Sequence, residues 1–122
     1  MSLSREELLK GRPLGVAKVE LPGGRGEVYV RELRGKDVVG LETARWPISP
    51  QGYRVHDAPN DDLNWVVLCA CDADGKPLFD GEFNLDREQA ATLPGTELAA
   101  IAAAARALNR VGRAAIEAAA KN

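Results

Sequence analysis

One histidine and two cysteines are all that this chain of 122 residues holds of the side chains that most often ligate transition metals. Cys69 and Cys71 stand two apart, too close for an unstrained disulfide within regular structure. Set among valine, leucine and alanine, they are expected as small buried hydrophobes of a reducing compartment. The lone His56 lies in a proline-rich stretch away from them, so no metal-ligand set forms and no cofactor is expected. His56-Asp57 pairs a base with a carboxylate, but no nucleophile or second carboxylate accompanies it in sequence. An enzyme is therefore not expected.

Aromatic residues make up only 5% of the chain, so the core must be built from Leu, Val, Ile and Ala. Small side chains each bury less area, at about 25 cal/mol per Å², which favours modest stability or stability gained by self-association. A basic excess is also missing: 16 Lys and Arg stand against 18 Asp and Glu, a net charge of −2. Arg106, Arg110 and Arg113 cluster but read as a solvated helical face, and nucleic-acid binding is not expected. No window approaches the roughly 20 apolar residues of a membrane span. The segment from Met1 to Glu7 is polar, without the apolar stretch of a signal peptide. These features predict a cytoplasmic protein with no membrane contact.

What is present organises as one α+β domain over residues 1–122, a hairpin at 16–32 followed by a helical part at 35–122. Ser4 with Glu7 reads as a capping box opening a helix over residues 5–10, which Gly11 and Pro13 end. Residues 16–21 and 27–32 alternate apolar and polar side chains on either side of Pro22-Gly23-Gly24-Arg25-Gly26, the pattern of a β-hairpin with one face to be covered. Residues 35–45 read as a helix with Val38 and Leu41 inward, stopped by Pro47. Residues 47–59 carry three prolines and Gly52 and read as a long loop whose length points to mobility or a binding role. In residues 63–71, Leu63, Val66, Val67, Ala70 and Cys71 recur at helical spacing. Asp74-Gly75 then supplies a turn, and Pro77 forbids further helix. Asp86 with Gln89 predicts a second capping box for a helix to about residue 93. The longest helix is expected over 96–110, with a break at Gly112 and a last helix over 114–121. About four helices thus pack on the hairpin.

Two motifs invite a chemical reading and do not carry it. Asp72-x-Asp74-Gly75 lacks the later carboxylates of a calcium loop, so a plain turn is the better reading. Leu21-Pro22-Gly23-Gly24-Arg25-Gly26 lacks the GxxxxGK[ST] order and does not open a helix, so it is no phosphate loop. The candidate functional residues are instead apolar. Trp46 and Tyr53 flank the proline-rich loop, and Leu98, Ile101, Leu108 and Ile116 lie on C-terminal helices. They are candidate protein contacts, with core packing as the alternative for each.

Several pieces occur in an order similar to that of the tail assembly chaperones of long-tailed bacteriophages. They are Ser4-Arg5-Glu6-Glu7-Leu8-Leu9, the hairpin end Val28-Tyr29-Val30-Arg31-Glu32-Leu33, Asp72-Ala73-Asp74-Gly75-Lys76-Pro77-Leu78-Phe79, and Leu108-Asn109 near the end of an Ala-rich helix. The resemblance implies a non-enzymatic protein of a phage or prophage. It would bind the tape-measure protein in the host bacterial cytoplasm until tail-tube protein polymerises around it, work as a homo-oligomer or in many copies, and be absent from the mature virion. The Ala-rich C-terminal third and the 47–59 segment depart from the family pattern. Some family members are made in two lengths by a −1 frameshift, and Ala120-Lys121-Asn122 fits a slippery codon run. The alternatives are a head–tail completion protein of a phage and a small host regulatory or interaction domain.

Overall fold

The computed structural model describes residues 2–121, with side chains through residue 110. Ser4 opens α1 (Arg5–Lys10) by the reciprocal bonds of a capping box. Glu7 N donates to Ser4 Oγ at 3.2 Å, and Ser4 N donates to Glu7 Oε1 at 3.3 Å. Gly11, at φ +66°, ends the helix. No residue of α1 is buried. Its link to the body is made by Glu32, whose carboxylate takes two bonds from Arg12, at 2.6 and 2.8 Å, and one from Gly15 N at 2.7 Å.

The hairpin forms as its alternation predicts. β1 (Val16–Glu20) pairs antiparallel with β2 (Glu27–Arg31) in the register Val16↔Arg31 to Glu20↔Glu27, joined through a short 3-10 turn at Pro22–Gly24. Val19 and Val30 point into the core, with Ala17 and Val28 packed beside them. The helix α2 (Gly35–Arg45) follows, with Asp37 Oδ2 accepting from Arg34 N at 3.1 Å at its start. Of its apolar side chains only Leu41 is buried; Val38, expected inward, is exposed. The helix leans mainly on α3 (Asp61–Cys69), and one buried line of contact suffices to hold it there.

The 63–71 segment is helical only as far as Cys69. Ala70 turns extended, at φ −62° and ψ 128°, and β3 (Ala70–Cys71) joins the sheet through Tyr29↔Cys71 and Val30↔Ala70. The sheet is therefore three-stranded, in the order β1-β2-β3. Ala70 and Cys71 are almost wholly buried, so their backbone groups need partners that water cannot supply, and β2 offers a free edge. An apolar pattern at i+7 and i+8 cannot reveal this, because buried strand and buried helix look alike over two residues.

Downstream, α4 (Phe83–Ala90) is capped by Glu82, whose carboxylate accepts from Asn84 N at 3.1 Å and Leu85 N at 3.0 Å. Asp86, expected as the cap, lies inside the helix and accepts from Gly81 N at 3.1 Å. The last helix, α5 (Gly95–Lys121), is continuous through Gly112. One helical glycine costs about 1 kcal/mol relative to alanine, which the surrounding Ala-rich sequence offsets. The architecture is thus α+β, with α5 covering the sheet and α3 at the centre of the helices. The core joins Val19 and Val30 to Val66, Val67, Cys69, Ala90, Ile101, Ala102 and Ala105. Alanines at 102 and 105, both fully buried, let α5 approach its neighbours closely.

Polar contacts fix this arrangement. Asp61, at the start of α3, takes Arg45 from α2 and Arg106 from α5, each at 2.8 Å. Arg25 of the hairpin turn reaches Glu97 of α5, and Asn109 donates to Ala105 O at 2.8 Å while accepting from Leu33 N at 2.9 Å.

Candidate protein-binding surface

Residues 47–57 form the loop expected of them, closed on itself by one isolated bridge, Ile48↔Arg54. Trp46 ends α2 with its N–H on Glu42 O, and Pro47 then forbids a further turn. The chain folds back on itself: Ser49 N donates to Tyr53 O at 2.6 Å, Gly52 N to Ser49 O at 2.9 Å and Val55 N to Pro47 O at 3.0 Å. Gly52 takes φ +87°, a conformation side chains disfavour, at the bend. Asp57 N bonds Arg45 O at 2.8 Å, and Arg54 Nη1 bonds Trp46 O at 3.1 Å. The Trp46 and His56 rings lie 4.9 Å apart, tilted by 37°. The result is a small hairpin tied to the end of α2.

Closing the backbone on itself turns the apolar side chains outward. Tyr53 is 72% exposed and Trp46 41%, with Ile48 and Val55 exposed beside them in the same hairpin. On α2, Val39 is 67% exposed and Val38 is also open. Val38, Val39, Glu42, Thr43, Trp46 and Arg54 line an open groove of about 390 Å³. A second groove of the same size lies between α2 and α4, bounded by Thr43, Pro47, Asp57, Phe83 and Arg87. Exposed apolar side chains beside an open groove with charges at its rim are a usual mark of a protein-contact surface.

Trp46 lines the α2 groove, and Tyr53 is exposed on the hairpin that follows it. Leu98, Ile101 and Leu108 do not join them: Ile101 is 4% exposed in the core, and Leu98 and Leu108 pack against that core. As α5 covers the sheet, its apolar stripe is consumed by the fold itself. The side chain of Ile116 lies outside the described residues, and the separate helix expected over 114–121 is instead the end of α5, which runs unbroken to Lys121. Sequence reasoning missed Val38, Val39, Ile48 and Val55. The available signal was Val39 alone, which lies nearly opposite an inward Leu41 on the helix, while Val38 shares the Leu41 side and gave none.

Several polar groups elsewhere are engaged in structure. Asp72 Oδ1 accepts from Asp74 N at 2.9 Å and Lys76 N at 3.0 Å, closing the turn about Gly75. Burial pushes the Cys69 thiol up to about 12 and also raises that of Cys71, which keeps both protonated and inert. Arg106 is bound to Asp61 and Asp62, so the arginine cluster begins inside an ion-pair network. Among the described residues no group of three or more His, Cys, Asp or Glu converges as a metal cluster, and no helix is long and apolar enough to cross a membrane. Comparison with protein-family models, curated proteins and solved structures finds no match to this chain.

Proposed function

We propose that this chain is a non-enzymatic tail assembly chaperone that holds a phage tape-measure protein in the bacterial cytoplasm until tail-tube protein takes its place. The observation that carries the reading is the set of exposed apolar side chains, Trp46, Ile48, Tyr53 and Val55, on a hairpin locked by its own backbone bonds. A long amphipathic client exposes apolar stripes along its helices, and a chaperone covers them with modest contacts repeated over many copies. A rigid hairpin suits that task, because little ordering entropy is lost when the client docks. The order of motifs along the sequence points to the same family.

The test is co-expression with the long helical tape-measure protein of the same phage. Wild-type chain keeps that protein soluble and co-purifies with it. A Tyr53→Glu chain, which places a charge in the exposed face without touching the core, folds normally and loses the client. Retention of the client by Tyr53→Glu, or failure of wild type to bind it, contradicts the proposal.

A further inference from the structure

The stretch from α2 through the hairpin after it stands outside the core. Among the described residues, no side chain from 35 to 60 joins the apolar cluster that ties the sheet to α3, α4 and α5. Leu41 is the one buried side chain of that stretch, and α2 leans mainly on α3. Toward α4 lies the open groove of about 390 Å³, with Gly40, Thr43 and Ala44 on one side and Phe83 and Arg87 on the other. Both ends of the stretch are fixed to the body. Leu33 N donates to Asn109 Oδ1 at 2.9 Å, and Asp61 Oδ2 accepts from Arg106 at 2.8 Å. Between these two posts the chain holds itself by bonds of its own, Asp57 N to Arg45 O and Arg54 Nη1 to Trp46 O among them.

We infer that residues 35–57 form a strap that opens from α3 as one cooperative unit while the core stays folded, and that the Arg45–Asp61 ion pair is its latch. Arg45 Nε stands 2.8 Å from Asp61 Oδ1, and both atoms are shielded from water. They meet off the alignment of a hydrogen bond, so charge more than direction holds them. Arg106 takes the other oxygen of Asp61 and keeps the carboxylate in place for this contact. The remaining ion pair to the body, Arg31–Asp37 at 3.5 Å, lies beside the fixed end at Leu33, where opening moves the chain least. Apart from the latch, the attachment thus rests on Leu41, and local opening is drawn from regions with few buried apolar contacts. Once off α3, a helix of 11 residues is not stable in water, so release of the strap and melting of α2 are one event. Trp46, Ile48, Tyr53 and Val55 all lie on the strap, and the latch therefore governs how they are presented. The inference concerns the free chain and does not rest on the chaperone reading.

Native-state hydrogen–deuterium exchange of the full chain at neutral pH tests it. Amides 39–45 exchange with one shared opening constant, about a hundredfold or more above that of Val66, Val67, Ala102 and Ala105 in the core. Arg45→Gln speeds amides 39–45 about tenfold and leaves the core amides unchanged, because it strips Asp61 of a partner on the strap alone. In that background Asp61→Asn adds less than about twofold at the strap, as the second member of one pair must. Arg25→Gln removes an ion pair between the hairpin turn and α5 and leaves strap exchange as in wild type. Exchange of amides 39–45 only at the core's own rate overturns the inference, as does equal acceleration of strap and core in Arg45→Gln. Strap exchange indifferent to Arg45→Gln, a further tenfold from Asp61→Asn, or an Arg25→Gln effect as large as that of Arg45→Gln removes the latch and overturns it equally.

Discussion

Asn109 does at one point what a whole loop contact does elsewhere. Its carboxamide accepts from Leu33 N, donates to Ala105 O and so ties the exit of β2 to α5 across 76 residues of sequence. Replacing it with leucine leaves the Leu33 amide without its acceptor in a partly buried position. Asn109→Leu is therefore expected to lower stability by about 1–3 kcal/mol, read from urea unfolding with an unchanged m-value. Sequence marked Leu108-Asn109 only as a motif near a helix end, because nothing local says which distant amide an asparagine will meet. Glu32 carries a pH signature of its own. The hydrogen bond from Arg12, aided by Gly15 N, holds its carboxyl at about 2 against the usual 4.5, despite an opposing push from burial. A folded-state value below the unfolded one contributes stability above pH 4.5 that is lost as pH falls toward 2. The stability gap between wild type and Glu32→Gln is thus constant at neutral pH and shrinks through that window. A gap independent of pH down to 2.5 would contradict the assignment.

Among the elements, those specified by local chemistry matched the sequence and those specified by distant partners did not. The Ser4–Glu7 cap and the 16–32 hairpin depend on residues within a few positions of one another, and each formed where expected. The end of α3 depends instead on the edge of β2, some 40 residues earlier, which converts Ala70 and Cys71 from helix to strand. Asp86 is a local exception: it had the spacing of a cap, but Glu82 reached the free amides first and Asp86 turned back to Gly81. The turn after β3 makes a direct test of element-level reasoning. Gly75 sits at φ +85°, and a Cβ there would stand 3.5 Å from Val16 Cγ2, an ordinary contact. The cost of Gly75→Ala is accordingly one of backbone conformation and not of collision, about 1–2 kcal/mol in thermal or urea unfolding. A neutral substitution would show that the turn relaxes to another form.

For the whole molecule, the division of apolar surface decides what can function. Leu98, Ile101 and Leu108 had the same helical spacing that an interface helix would show, and only the sheet lying beneath α5 assigns them to the core. Trp46 and Tyr53 were legible as candidates because proline and glycine around them set a bend, yet their exposure arises from backbone bonds within 47–57 that no composition predicts. The fold class was readable in outline from periodicity, while the proposed binding face was readable only at two of its residues. The account stands on that face being the surface that a helical client covers. Hydrogen–deuterium exchange of the chain alone and in complex with tape-measure protein tests it most directly. The account predicts added protection concentrated over residues 46–55, with the β1 and β2 amides unchanged. Protection confined to other surfaces, with residues 46–55 exchanging as in the free chain, would contradict it.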